Sequence, residues 1–322
     1  MSGQVQKSAG IDLHTHLAPA LDQPVRGVSR EGDRLIVDGN RVGTQGLYRP
    51  DQLCSHLHAV GLSEAVVSMP PPFFRQHLGA HAARAWAKVA NDGLARVTDA
   101  HPELRRLAYL PLEHPLVARA EYDRVRVDDA WAGVVASAGG GSGSLADPAL
   151  EPLWRALDDD GRLVMLHPGA SPDRRLDELY LANLLGNPVE TAIAAAQLVL
   201  GRVLTRWPRI RFLLVHCGGC VPSLVGRWER GVLTERPGLV ALDESPREAV
   251  RRFFVDCLAH DPCVVDLATA AFGEDKIVLG SDWPFPMGVE DPRALVAHRG
   301  AEFCERVAQA NALAALARVD GS

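Results

Sequence analysis

Lysine is nearly missing from this chain: its 322 residues contain Lys7, Lys88 and Lys276, and arginine carries the remaining basic charge. A metal bridge made from a carbamylated lysine in the middle of the chain therefore has no residue to use. Long apolar runs are missing too. The longest stretches, such as Ala192–Leu200, fall well short of the twenty or so residues a bilayer requires. The N-terminus, MSGQVQKSAG, has no apolar segment of the kind a signal peptide needs. No G-x-G-x-x-G follows the first strand-like run, which excludes a dinucleotide-binding dehydrogenase. Six unevenly spaced cysteines read as reduced thiols and exclude a disulfide framework. A net charge of −6 and a pI near 6.1 give no basic surface for nucleic acid and no acidic tail. The expectation is a soluble cytoplasmic protein without a nucleic-acid or membrane partner.

What is present is a globular balance, 47% hydrophobic and 23% charged, sufficient for a large core. Short β-branched apolar runs recur at Ile11–His16, Glu64–Met69, Leu107–Leu112, Gly133–Ser137, Leu163–His167, Arg211–His216, Phe253–Cys257 and Lys276–Ser281. Amphipathic stretches lie between them, among them Ala80–Ala100, Pro148–Asp159, Val189–Trp207 and Val221–Leu233. Strands alternating with helical patterns imply parallel βαβ units, and eight such units close a (β/α)8 TIM barrel. The whole chain, 1–322, reads as one barrel domain. Leu21–Leu47, rich in Gly, Asp and Arg with an alternating stretch at Arg34–Val37, breaks the pattern. Following the first strand, it reads as a small insertion or lid over the barrel mouth. Gly139–Gly143 reads as a loop on the same face, and its glycines fit no phosphate-binding pattern.

Residues able to bind metal gather where the expected strands end, the face of a barrel that carries active sites. The first ends His14-Thr15-His16, and residues two apart on a strand point to one side. The fifth ends at His167, the sixth at His216, and the eighth at Gly280-Ser281-Asp282. Each has an ordinary explanation alone: H-x-H occurs in loops, and G-S-D is a common turn or helix cap. It is the conjunction across four strands that coincidence does not explain. Imidazoles with a carboxylate suit one divalent ion, zinc first, with manganese, iron or cobalt as alternatives. Glu113, after Leu112, is the other carboxylate within reach of the mouth, and the site reads as mononuclear. The eight remaining histidines read as solvated or structural. Cys217 and Cys220 form a C-x-x-C that opens no redox helix and reads as packing.

The segments IDLHTHLAP, LPLE, LHP, NPVET, HCGG with LVGRWE, FFVDC and GEDKIVLGSDWPFPMG occur in order along nearly the whole chain. Together they resemble the amidohydrolase-related decarboxylases, and most of all the aminocarboxymuconate-semialdehyde branch. The resemblance implies that His14, His16, His167 and Asp282 hold the metal, with His216 the acid/base beside it and Asp282 sharing in catalysis. It implies that Arg227 reaches a neighbouring subunit's site to hold a substrate carboxylate, making a homodimer or higher homo-oligomer the active form. Arg41, or else Arg49, would hold the carboxylate from the insertion. Gly169-Ala170 stands where the muconate enzymes have an aromatic residue, and Ser171–Leu185 also differs, so one pocket wall is rebuilt. Pro70–Phe74, Ser171–Leu185, Trp283 and Phe285 are the expected walls.

A divalent ion lowers the pKa of a bound water from about 15.7 towards about 7. A near-neutral imidazole can move a proton, and arginine holds carboxylates through paired hydrogen bonds. The expected activity is non-oxidative decarboxylation of a small unsaturated or aromatic carboxylic acid. The alternative is a metal-dependent hydrolase whose activated water attacks an amide, lactone or ester. A metal-containing scaffold protein without catalysis is the third reading, and the joint presence of ligands, His216 and Arg227 argues against it.

Overall fold

The structure, a computed structural model, describes residues 10–141 and 143–318. The N-terminal stretch read for a leader, apart from Gly10, lies outside the described residues, as does Ser142 of the Gly139–Gly143 loop. Among the described residues eleven strands run in chain order. They are β1 (Gly10–His16), β2 (Val28–Glu31), β3 (Arg34–Val37), β4 (Asn40–Arg41), β5 (Leu62–Ser68), β6 (Leu104–Tyr109), β7 (Trp131–Ser137), β8 (Leu163–His167), β9 (Arg211–Leu214), β10 (Phe254–Asp256) and β11 (Ile277–Val278). Eight of them form one parallel sheet in the order β1-β5-β6-β7-β8-β9-β10-β11. Asp12 bridges to Leu279 in parallel, and the Leu13 amide donates to the Leu279 carbonyl at 2.9 Å, bringing the two ends together. Helices alternate with the strands, so the architecture is the (β/α)8 barrel.

Alternation along the strands divides the core into two layers. Leu163 and Met165 of β8 fill the barrel interior with Val66, Leu107, Val135, Leu213 and Phe254. Val164 and Leu166 face outward onto the helices, packing with Trp154, Leu198 and Phe212. Both layers are nearly solvent-free, as parallel strands covered on both faces must be.

The β1–β5 register carries a bulge: Asp12 pairs with Ala65 and Thr15 with Val67, so Leu13 and His14 together stand opposite Val66. The extra residue reverses the alternation. Without it the side of Ile11 and Leu13 would continue through Thr15; with it His16 pairs with Ser68, and His14 and His16 face inward.

Several elements differ from the sequence expectation. The strand expected at Leu107–Leu112 is Leu104–Tyr109, ending before Pro111, which has no amide proton for the ladder. β9 stops at Leu214 and β11 at Val278, so His216 and Asp282 lie in turns beyond the strands. His216, Cys217 and Asp282 have φ of 54°, 54° and 57°, a left-handed conformation no strand accommodates. The helix expected at Val189–Trp207 begins earlier, at Asn187, and breaks after Leu200, where Gly201 and a left-handed Arg202 separate it from Val203–Arg206.

The 21–47 insertion contains β2, β3 and β4, an antiparallel meander. Its Leu35, Val37, Val42 and Leu47 are buried with Phe73, Phe74 and Trp86 of the β5 side. Thr44 Oγ1 donates to the Pro284 carbonyl at 3.2 Å, so the meander rests on the loop after β11. Among the described residues no helix is long and apolar enough to cross a membrane.

Candidate metal centre

His14, His16, His167 and Asp282 are buried, and one ligand atom from each lies within 4.8 Å of the other three. The His14 and His16 Nε2 atoms are 3.2 Å apart, and Asp282 Oδ1 lies 3.5 and 3.1 Å from them. The outer nitrogens determine what these atoms offer. His14 Nδ1 lies 2.7 Å from Asp256 Oδ2, and His167 Nδ1 lies 3.2 Å from the Pro168 carbonyl. Both partners only accept, so both Nδ1 atoms donate and both Nε2 atoms are the ones turned inward. Burial opposes charging of His14, but Asp256 and Asp282 outweigh it and raise the ring above the ordinary imidazole range, so a bound ion would displace a proton from its Nε2. Ser68 Oγ, 3.1 Å from His16 Nδ1, holds the third ring.

His167 Nε2 and Asp282 Oδ1 are buried without a hydrogen-bond partner. Burial, with the His16, His14 and His216 charges, holds His167 well below the ordinary imidazole range. Burial likewise lowers His16, against the pull of Asp282. Burial opposes ionisation of Asp282, but His16, His14 and His216 outweigh it and hold the carboxyl below its usual range. Inward nitrogens and a carboxylate facing one another in a dry site need a cation between them, a proton on His14 or a metal ion in its place. The residues therefore fit a divalent ion with three nitrogens and one oxygen.

Asp256 organises the surroundings. Fully buried on β10, it accepts from His14 Nδ1 and from the amides of His216 at 3.0 Å, Cys217 at 2.7 Å and Leu258 at 3.1 Å. Those bonds hold the left-handed turn that carries His216, and such strained backbone persists only where its surroundings determine it. Asp12 does similar work at the other edge, accepting from the amides of His14 and Ser281, each at 3.1 Å. His216 Nε2 stands 4.0 Å from Asp282 Oδ2, and its Nδ1 has no partner. Burial, reinforced by the His14 charge, lowers its pKa to about 4, so the ring is neutral at pH 7. Sequence reasoning missed Asp256, although the signal was available: it ends a barrel strand inside FFVDC.

A family model described as amidohydrolase matches residues 11–318. The chain belongs to the amidohydrolase family. A 2-amino-3-carboxymuconate-6-semialdehyde decarboxylase from Dictyostelium discoideum is 28% identical to this amidohydrolase over 308 residues, covering 90% of this chain and 86% of the relative. Many solved structures share its fold, two of them as follows. The apo form of IDCase from Metarhizium anisopliae has a TM-score of 0.80 at 22% identity, covering 98% of both chains. A 5-carboxyvanillate decarboxylase from Novosphingobium aromaticivorans, solved with manganese and 3-methoxy-4-hydroxy-5-nitrobenzoic acid, has a TM-score of 0.79 at 19% identity, covering 98% and 99%.

The structure distributes the remaining candidate residues of this amidohydrolase unevenly. Phe285 meets His16 edge-on with centroids 5.4 Å apart, and Phe74 meets His167 at 6.4 Å, so both aromatic rings border the cluster. Trp283 leans on His56 at 6.2 Å. A side chain at Gly169 would meet Gln76 and Ser137, each at 2.3 Å, so that wall is filled by the loop after β5 and the end of β7. Arg41 and Arg49 are half-exposed and pair within the insertion, Arg41 Nε with Glu31 at 2.9 Å and Arg49 with Asp33 at 2.5 Å. Neither pairs with a cluster residue. Arg227 is exposed on the helix Val221–Leu233, with no hydrogen bond or ion pair among the described residues. Glu113 is mostly buried and Oε1 has no partner; burial pushes its carboxyl up, and it is not one of the four converging groups. Cys217 packs in the outer core, its thiol pushed well up by burial.

Asp256→Asn is the substitution that separates orientation from ligation. The amide keeps the shape but cannot accept equally from His14 and the turn amides. Metal affinity is expected to fall about 10–100-fold, the usual cost of losing a carboxylate behind a ligating histidine. Competitive chelation reads this directly, and unchanged affinity would show that His14 needs no such support.

Proposed function

We propose that this amidohydrolase is a metal-dependent, non-oxidative decarboxylase of a small unsaturated or aromatic carboxylic acid. The observation that carries the reading is the convergence of three imidazoles and one carboxylate beside the neutral His216. The near-full-length likeness to a decarboxylase supports the choice of reaction. His14, His16, His167 and Asp282 would hold the ion, zinc by preference, with manganese the alternative seen in a relative of the same fold. When bound, it supplies Lewis acidity to oxygen groups brought into the mouth.

Decarboxylation breaks the bond to the carboxyl carbon, leaves the electron pair on the substrate carbon and consumes one proton there. That proton comes from solvent: His216, whose ring is neutral at rest, would relay it to the carbon, with the ionised Asp282 4.0 Å away stabilising the imidazolium formed on the way. Phe285, partly exposed beside His16, offers an aromatic surface suited to a flat unsaturated acid. The insertion 21–47 acts as the lid of a single barrel domain, and Arg41 and Arg49 become available to a carboxylate only if their pairs with Glu31 and Asp33 open. Six unpaired cysteines fit a reducing cytoplasm.

The active form is proposed to be a homodimer in which Arg227 serves the neighbouring site. Its supporting features are the unpaired guanidinium and the apolar hollow lined by Val189, Ile193, Leu224 and Trp228 on the same and the preceding helix. Arg227→Ala is expected to raise KM for the carboxylate about 10–100-fold, the value of a charged hydrogen bond, with metal content unchanged. Mixing it with a His216→Asn chain should restore activity in hybrid dimers, and failure to restore it removes the trans role.

The function is tested by carbon dioxide release from metal-loaded enzyme across carboxylated aromatics and muconate-type acids. Release with the decarboxylated product is expected; a hydrolysed amide, lactone or ester without carbon dioxide would replace the proposal with the hydrolase.

A further inference from the structure

The end of the barrel opposite the four-residue cluster holds a second set of metal-ligand groups. Cys54 lies on the helix Pro50–Ala59, and His101 and Glu103 immediately precede β6. Cys54 Sγ, a His101 ring nitrogen and a Glu103 carboxylate oxygen all lie within 4.8 Å of one another. Cys54 is 7% exposed, and its sulfur is 3.6 Å from His101 Nδ1. Asp51 Oδ1 lies 3.8 Å from His101 Nε2, on the far side of the ring. At that distance the exposed carboxylate acts on the ring by charge and not by a hydrogen bond, and Nδ1 is the nitrogen turned to the sulfur.

The helix adds a sequence pattern. Asp51, Cys54 and His58 are spaced i, i+3 and i+7, so they share one stripe. His58 is exposed, and its charge reaches Glu103, placing it on the same side as the cluster. Thiolate, imidazole and carboxylate, with a further imidazole one turn along, form a donor set for a thiophilic divalent ion. Among the described residues this is the other group of three or more such side chains besides the one at the mouth.

We propose that Cys54, His101 and Glu103 form a second binding site, for a thiophilic divalent cation such as zinc or cobalt, with His58 completing the coordination. Binding replaces the Cys54 thiol proton with the metal. It clamps the helix Pro50–Ala59 to the β5–β6 edge, where the Ala65 amide already donates to the Glu103 carbonyl at 3.0 Å. The site is independent of the decarboxylase reading, because it stands at the other end of the strands from His14 and His16.

The test is cobalt(II) titration of the full-length, metal-depleted protein, following the near-ultraviolet thiolate-to-cobalt band and the bound equivalents. Wild type is expected to take two equivalents, the second bringing the thiolate band. Cys54→Ser and His101→Gln should each bind one equivalent, with the band absent in Cys54→Ser and lost or strongly weakened in His101→Gln. Zinc should raise the Tm of wild type more than that of either variant. A wild type that shows no thiolate band at saturating cobalt overturns the proposal, and this arm does not depend on how the variants fold. A band that persists in Cys54→Ser assigns the sulfur to another cysteine and overturns it equally.

Discussion

Asp282→Ala is expected to abolish decarboxylation, by about 10³-fold or more, while the barrel stays folded. The carboxylate is the one anionic ligand among the four, and a bound divalent ion is worth several kcal/mol of transition-state stabilisation, at about 1.4 kcal/mol per tenfold in rate. The fold does not depend on that side chain. The loop is held by main-chain bonds that alanine keeps, from the Asp282 amide to the His14 carbonyl at 2.8 Å and from the Phe285 amide to the Asp282 carbonyl at 2.9 Å. Alanine at a φ of 57° costs about 1–2 kcal/mol of backbone strain, too little to unfold a domain of this size. Circular dichroism and elemental analysis should therefore report a folded protein short of metal. A fully active Asp282→Ala enzyme would remove the metal centre from the mechanism.

His216→Asn should keep the ion and lose the chemistry. Asparagine tolerates the left-handed backbone at this position better than most residues, so the turn that Asp256 holds is preserved. His216 Nδ1 has no partner and its Nε2 faces Asp282 Oδ2 at 4.0 Å, so the side chain bears on the reacting proton rather than on the fold. The expected loss in kcat is about 10²–10⁴-fold, the usual range for a general acid or base, with metal content near wild type. Loss of the ion would make His216 a ligand, and an unchanged kcat would deny it the proton-transfer role.

The barrel was legible because buried parallel strands must be short, apolar and β-branched; β8 matches the expected Leu163–His167 at both ends. His14 and His16 were legible as a pair, but not the reason they face inward. The bulge opposite Val66 is a property of two strands and leaves no mark in either alone. His216 and Asp282 were placed at strand ends, whereas each sits in a left-handed turn held by distant partners, Asp256 for one and the β1 backbone for the other. Asp256 itself shows the cost of reading strands as apolar runs, because its chemistry becomes apparent once its carboxylate is seen against His14 of β1 and the turn after β9. The arginines follow the same principle. Local acidic neighbours in the folded meander decide where Arg41 and Arg49 point, and sequence distance does not show those pairings.

The most direct test of the central claim is anomalous X-ray scattering from crystals of the metal-loaded protein. A peak is expected at about 2.0–2.2 Å from His14 Nε2, His16 Nε2, His167 Nε2 and an Asp282 oxygen, lost in Asp282→Ala. Crystals loaded with zinc or manganese that show no peak among these four side chains would contradict that claim.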